Sequence, residues 1–301
     1  MTDLTPLRLG FDDPNDLMGG KMKRERRFQR VAIFFFIFVL GSWTLVLRAG
    51  AESDQALEKP WERFSLILGG GIAFLKSDVR VGSESTGVSV NVEDALGLDS
   101  SMAVLRAEGI FRLGDSRRHR LDFSYFDLSR DGSKTLARDI TIRDTLYPTG
   151  TTVETEFDLK LFKGAYSYSI VQDDRIDFGL GIGLYVAPVK FRISASNSGA
   201  LEESSSTSPL PFLVGHIDYA LTPKLFTKQS VELFYLEYKD FKGRLLDARI
   251  GLEYNLWKHF GLGLAFNIFS LNVEDKGDAS NLKGSIDLGF SDLMLYGKMM
   301  F

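Results

Sequence analysis

The sequence has no cysteine among its 301 residues. Thiol nucleophiles, disulfides and thiolate-held zinc or iron–sulfur centres are therefore excluded. Histidine is scarce, at three residues, which leaves little for a His-rich metal site, and no metal or cofactor is expected. Proline is scarce too, at 8 residues, against 29 glycines and 12% aromatics. An aromatic-rich, glycine-rich, proline-poor chain favours strands with close backbone contacts. Long hydrophobic runs are missing but for one, and the mean hydropathy of −0.03 excludes a bundle of transmembrane helices. Excess positive charge is absent as well. A formal charge of −4 and a pI near 5.6 argue against a nucleic-acid partner. The 44% hydrophobic and 25% charged content is that of a folded chain, not of a disordered tail.

The one apolar run is Val31 to Leu47. Lys23, Arg24, Arg26, Arg27 and Arg30 precede it, and Ala49-Gly50-Ala51 follows Arg48. A basic region, an apolar stretch and an A-x-A site describe a secretory signal peptide. The competing reading is an uncleaved anchor, but 17 residues lie at the bottom of the spanning range. Cleavage after Ala51 is expected, which divides the chain into 1–51 and an exported domain, 52–301. Asp3, Asp12, Asp13 and Asp16 suit no basic region, whereas a start at Met22 would give a compact one. The exported part holds 28 basic and 35 acidic residues, a net charge of −7. Without disulfides it depends on a large core or on a membrane.

After residue 60 period-two alternation recurs throughout, the signature of strands. Leu246, Ala248, Ile250, Leu252, Tyr254 and Leu256 oppose Asp247, Arg249, Gly251, Glu253 and Asn255. Leu262, Leu264, Phe266 and Ile268 oppose Gly261, Gly263, Ala265 and Asn267. Phe178, Leu180, Ile182, Leu184 and Val186 oppose Asp177, Gly179, Gly181, Gly183 and Tyr185. Leu66, Leu68, Gly70, Ile72 and Phe74 oppose Ile67, Gly69, Gly71 and Ala73. In a soluble sandwich the face opposite the apolar one is wet and rich in Lys, Glu and Thr. Here it is glycine, or acids mixed with bases. Glycine suits the crowded bore of a closed barrel, and opposite charges neutralise one another there. The apolar face then meets lipid.

Ten strands are expected, at 62–81, 101–113, 118–130, 151–171, 175–195, 208–221, 225–239, 244–257, 260–273 and 283–301, with eight or twelve as alternatives. Short connections at 114–117, 172–174, 222–224 and 258–259 alternate with long ones at 82–100, 131–150, 196–207 and 274–282, with one shorter member on that side at 240–243. That asymmetry separates periplasmic turns from extracellular loops. Several runs exceed the roughly 9–11 residues needed to cross, so strands should project above the membrane. In 151–171 the apolar set shifts from Phe157, Leu159 and Leu161 to Phe162, Gly164, Tyr166 and Tyr168. In the last strand it shifts from Ile286, Leu288 and Phe290 to Leu293, Leu295, Met299 and Phe301. A one-residue bulge is expected at each shift.

The chain ends in Phe301, with Met299, Gly297, Leu295 and Leu293 at alternate positions before it and Tyr296 beside them. This resembles the C-terminal signature of Gram-negative outer-membrane proteins, which implies the barrel-assembly machinery as a partner during biogenesis. Leu252–Phe269 resembles the strand–turn–strand of small outer-membrane barrels of the OmpA and OmpW kind. Asn91 to Arg130, with Glu93-Asp94, Leu96-Gly97-Leu98 and Arg118-His119-Arg120-Leu121, resembles outer-membrane barrel families without an assigned role. The resemblance covers nearly all of 60–301 and implies the bacterial outer membrane, with its lipid and lipopolysaccharide, as the setting. It carries no known active site, so no catalytic residue is transferred.

The expected bore carries Arg106, Glu108, Arg112, Asp122, Glu154, Glu156, Asp158, Lys160, Asp247, Arg249 and Glu253. Two readings compete: an ion-pair network that fills the barrel, favoured because narrow barrels are filled by their own side chains, and the lining of a selective pore. His216 with Asp218 two residues on reads as a buried polar pair rather than part of a hydrolase. His119 and His259 fall at periplasmic turns, far from a rim that meets external substrates. Gly179, Gly181 and Gly183 have nucleotide-loop spacing, but no helix follows, so they read as bore packing. Tyr and Trp near strand ends suit interfacial girdles as well as ordinary strand propensity. The serine-rich Ser194–Ser208 reads as an external loop. The expectation is an all-β, closed antiparallel transmembrane barrel without enzymatic activity, structural or a narrow channel for small solutes. The alternatives are a lipid- or peptide-cleaving barrel and a surface receptor or adhesin.

Overall fold

The computed structural model describes residues 61–81, 88–91, 93, 96–137, 139–142, 145–195, 201–238, 241–275 and 284–301. The expected cleavage site at Ala49 and Ala51, and with it the division after residue 51, lies outside the described residues.

Ten long strands form the barrel. They are β1 (Phe64–Val81), β2 (Ser101–Leu113), β3 (His119–Thr135), β4 (Thr152–Gln172) and β5 (Ile176–Ala195). Then come β6 (Leu201–Ala220), β7 (Leu225–Tyr238), β8 (Phe241–Trp257), β9 (Phe260–Asp275) and β10 (Gly284–Met300). Each pairs antiparallel with its sequence neighbour, and β10 pairs with β1 from Ser65↔Met300 to Val81↔Gly284, so the sheet closes. The closure is fastened at the base, where Phe64 and Phe301 exchange backbone hydrogen bonds at 3.2 and 2.9 Å. Val88–Asn91 adds a short strand to the upper edge of β1, and Ile140–Ile142 pairs with Thr145–Tyr147 in a small hairpin.

The register fixes the dimensions. Paired residues lead from Phe64 through Phe111, Leu121, Tyr166, Ile182, Leu213, Leu233, Leu246, Ser270 and Gly289 to Lys76. One circuit thus climbs 12 residues along β1. Ten strands with that stagger tilt by about 40° around a backbone radius of about 10 Å. Both faces of each strand are then fixed by the pleat.

The outer face carries an exposed apolar belt. Leu66, Leu68, Ile72, Phe74, Phe123, Phe162, Ile182, Leu184, Leu213, Leu264, Leu293 and Leu295 all lie in it, the most exposed at 66%. Such a contiguous surface is untenable in water and is what hydrocarbon requires. At the base Trp257 stacks on Phe260, and Phe301 lies against Phe64 and His259.

The two expected bulges are absent. β4 keeps one phase from Val153 to Ser169: Val153, Thr155, Phe157, Leu159, Leu161, Ala165, Ser167 and Ser169 are all buried. Phe157, Leu159 and Leu161 therefore face inward, and Glu154, Glu156, Asp158 and Lys160 face outward, not into the bore. Glu156 instead meets Arg192 of β5 at 3.2 Å on the wet outer surface. β10 behaves alike, with Leu288, Phe290, Asp292, Met294, Tyr296 and Lys298 buried in one phase. The backbone does not slip at these points; the surroundings change. Above the membrane the outside is water and the inside is dry, so apolar residues move to the inner face. The irregularities lie near the base, at Ser169/Val171 and Asn255/Trp257. The serine-rich stretch is largely ladder, with Ser194↔Leu201 through Ala187↔Ser208 paired.

Candidate functional site

The interior is built in layers from the periplasmic end upward. Trp61, just ahead of β1, caps the lower mouth. Its ring is buried against Phe226, edge-on at 6.3 Å, and its indole N–H donates to the Asp173 carbonyl at 2.7 Å. The Arg112 guanidinium and the Lys228 ammonium lie over the ring at 5.9 and 5.5 Å, close enough for cation–π attraction. Arg117 donates to the Trp61 carbonyl from a turn in which its φ is +56°. A non-glycine residue in that region costs energy, and this contact holds it there.

Above the cap lies a layer of buried ion pairs. Arg112 reaches Asp177 at 3.0 Å and Asp218 at 3.3 Å. Asp218 also accepts from Arg120 at 3.3 Å and from Lys228 at 3.0 Å. Arg120 meets Asp122 at 2.7 Å. Lys298 donates to Glu253 at 2.6 Å and makes a second, close contact to Glu62. His216 does not pair with Asp218, which is taken up by three cations; its Nε2 is 3.7 Å from Asp177. The glycine face of β5 makes this packing feasible. A Cβ on Gly179 would stand 2.4 Å from the His216 ring, and one on Gly183 would stand 2.3 Å from the Phe212 ring.

A second polar layer follows. Glu108 pairs closely with Arg249 and stands 3.6 Å from Arg106. Lys163 donates to Glu232 at 2.7 Å. The Tyr185 hydroxyl lies within reach of both Glu232 and Asp247, the latter at 2.8 Å. Its single proton serves one carboxylate at a time. Asn267 donates to Asp292 at 2.6 Å. Between the two layers is a cavity of about 70 Å³, lined by charged side chains from β2, β3, β4, β6, β7, β8 and β10. It has room for a handful of waters.

The upper bore is apolar. Phe126 stacks on Phe290 at 5.0 Å, and Phe290 stacks on Phe269 at 4.9 Å. Tyr185 joins this column through Phe269 and Phe212. Leu128, Leu159, Ile193 and Leu245 are wholly buried around it. At the top the segment before β2 folds inward and buries Leu96 and Leu98. Glu93 anchors it by accepting from Arg130 at 2.6 Å and from the Ser77 N–H at 3.0 Å. Burial opposes the Glu93 charge, but those two donors outweigh it and hold its carboxyl below the usual glutamate value.

Of the eleven charged residues expected in the bore, Arg106, Glu108, Arg112, Asp122, Asp247, Arg249 and Glu253 lie there, as do His216 and Asp218, while Glu154, Glu156, Asp158 and Lys160 do not. Alternation set Asp177 and Tyr185 on the bore face without assigning them to the network, and it did not single out Glu62, Arg120, Lys163, Lys228, Glu232, Asp292 or Lys298. Lys298 was legible, being in phase with Tyr296 and opposite to the Leu295 and Met299 stripe. Lys228 and Glu232 were not, because β7 (LFTKQSVELFYLEY) hardly alternates. His119 and His259 sit near the periplasmic turns, bonded to the Tyr166 hydroxyl and the Met300 carbonyl. Among the described residues no group of three or more His, Asp and Glu is placed to hold a metal ion.

No family model matches the chain, and no curated protein does. Solved structures match in fold. The outer membrane protease OmpT of Escherichia coli has a TM-score of 0.52 at 9% identity, over 79% of this chain and 96% of that one. The transport unit of the autotransporter AIDA-I from Escherichia coli gives 0.42 at 8%, over 87% and 98%. The attachment invasion locus protein Ail of Yersinia pestis gives 0.35 at 12%, over 79% and 99%. Closed ring, apolar belt and short-turn base together make this chain a ten-stranded barrel of the Gram-negative outer membrane.

Proposed function

We propose that the chain is a structural, non-conducting and non-enzymatic barrel. The observation that carries this reading is the aromatic column of Phe126, Phe290 and Phe269 standing across the bore above the ion pairs. An ion entering from outside would meet a dry apolar layer before it reached the two ion-pair layers below, and hydrophobic constrictions exclude water and ions. The small cavity below is lined by the ion-paired side chains, and Trp61 is buried with Ala220 and Phe226 near the base. A channel needs a continuous wet path, and a filled barrel of this size needs none. The bonding and burial of the three histidines support the absence of catalysis. His216 is enclosed in the bore, and the other two are near the periplasmic face. The exposed stripe of Leu295, Met299 and Phe301 is offered to the barrel-assembly machinery during insertion, and the belt is offered to outer-membrane lipid and lipopolysaccharide.

The test is conductance in planar bilayers. The wild-type chain should show no steady current. Replacing Phe126, Phe269 and Phe290 together by Ala should produce discrete openings. Steady wild-type current would refute the reading in favour of a narrow channel.

A further inference from the structure

The periplasmic base carries charge of the opposite sign to the exported chain as a whole. Its turns at 114–118, 172–175, 222–224 and 258–259 hold five Lys or Arg and three Asp, although residues 52–301 are net −7. Two of the three acids are engaged. Asp115 pairs with Arg63 at 3.2 Å, and Asp173 Oδ1 accepts from the Arg175 and Ile176 N–H groups at 2.7 and 2.9 Å. Arg118 donates to the Ser169 and Ile170 carbonyls at 3.4 Å, and Arg117 donates to the Trp61 carbonyl. A carbonyl satisfies a donor without cancelling its charge. Lys224 and Lys258 meet no acidic group among the described residues.

We propose that this basic rim binds the anionic headgroups of phospholipids of the phosphatidylglycerol class in the periplasmic leaflet. The bases share the rim with aromatics that face the lipid. His119, the first residue of β3, stacks on Tyr166 with its Nδ1 2.8 Å from the Tyr166 hydroxyl, and Tyr168 stands edge-on at 5.1 Å. Tyr166 and Tyr168 are both exposed on the outer face, one and two outward positions above the base of β4. Trp257, the last residue of β8, is 70% exposed and stacks on Phe260, the first of β9. The Asn255 N–H donates to the Lys224 carbonyl at 2.8 Å, so the 222–224 turn flanks the strand end that carries Trp257 and Lys258. From belt to turn the order is thus apolar, aromatic, basic. That is the order in which a phospholipid presents acyl chain, ester region and phosphate. A soluble acidic partner would use the bases and leave the aromatics unused. The proposal goes beyond the belt, which accepts the hydrocarbon of any lipid.

Trp257 is the reporter. In the full-length chain Trp43→Phe leaves it with Trp61, which is buried with Ala220 and Phe226. The protein is refolded into phosphatidylcholine vesicles that contain a minority of phosphatidylglycerol. In one set the phosphatidylglycerol is brominated near the headgroup end of its acyl chains, and in the other an equal amount of the phosphatidylcholine is. Trp257 should be quenched several-fold more strongly in the first set, and added salt should shrink the excess. Lys224→Gln together with Lys258→Gln should remove it. A tryptophan moved to the top of the belt, Phe162→Trp with Trp257→Phe, should show no excess. Equal quenching of Trp257 in the two sets overturns the proposal. An excess that survives the lysine changes, or that is as large at position 162, overturns it too.

Discussion

Lys298 offers the sharpest test of the layered bore. Its ammonium is almost wholly buried, 2.6 Å from Glu253 and in close contact with Glu62. Lys298→Met keeps the stem and removes the charge. The two carboxylates are then left facing one another, with Arg112 at 3.7 Å from Glu62 as the remaining partner. Like charges about 5 Å apart repel by roughly 3 kcal/mol at an effective dielectric constant of about 20. Breaking a buried pair from one side costs about 3–5 kcal/mol by mutational precedent, which agrees. The unfolding free energy should fall by about that amount. Adding Glu253→Gln should return most of it, because the stranded charge is then gone. The assay is reversible urea unfolding of chain refolded in lipid vesicles, followed by tryptophan fluorescence as a double-mutant cycle. A single variant within about 1 kcal/mol of wild type, or a double variant as unstable as the single, would show that these groups are hydrated and the bore is wet.

Phe290→Ala removes the central ring of the aromatic column and should cost about 3–5 kcal/mol in the same unfolding assay; a loss under about 1 kcal/mol would mean the upper bore is not packed. Gly181→Ala sets a Cβ 2.0 Å from the Tyr166 carbonyl oxygen of the facing strand. The β4–β5 ladder should therefore fail to close, and normal refolding yield would contradict that register. The Glu93 anchor predicts a pH effect. Its folded-state carboxyl titrates below the ordinary value of 4.5, so its contribution is complete above that value and is lost as pH falls through the lower one. Hydrogen exchange at Gly97 and Leu98 should stay slow at neutral pH and accelerate only once the pH is well below the ordinary glutamate value. In Glu93→Gln it should be fast at both, and a pH-independent wild type would dismiss the anchor.

The wall was largely legible in the sequence. Strand positions follow from alternation because the pleat forces it, and β2 runs from Ser101 to Leu113 as its pattern states. The orientation of Leu262, Leu264 and Phe266 toward lipid followed from what stands opposite, since Gly261 and Gly263 would waste a solvated face. A Cβ on Gly263 would in fact stand 2.0 Å from the Tyr296 ring. Pairings within the bore were not legible. They depend on which strands the stagger of 12 brings across from one another, and no local pattern encodes that Arg112 meets Asp177 or that Lys163 meets Glu232.

The misplacement of Glu154, Glu156, Asp158 and Lys160 has one physical source. Alternation separates two faces but does not say which is inside. In the membrane the outside is the apolar solvent, and a polar bore is allowed because its charges neutralise one another. Above the membrane the outside is water, and the same strand must bury its apolar set inward as any soluble protein does. A straight β4 crossing that boundary has to exchange the chemistry of its faces between Leu161 and Phe162 while its backbone phase stays constant. Read along the sequence, that exchange looks like a bulge. Read in three dimensions, it marks the height at which lipid gives way to water, and the equivalent exchange between Phe290 and Leu293 on β10 marks it again. The apolar plug and the apolar belt are therefore two halves of one pattern, and the aromatic column stands where the barrel leaves the membrane.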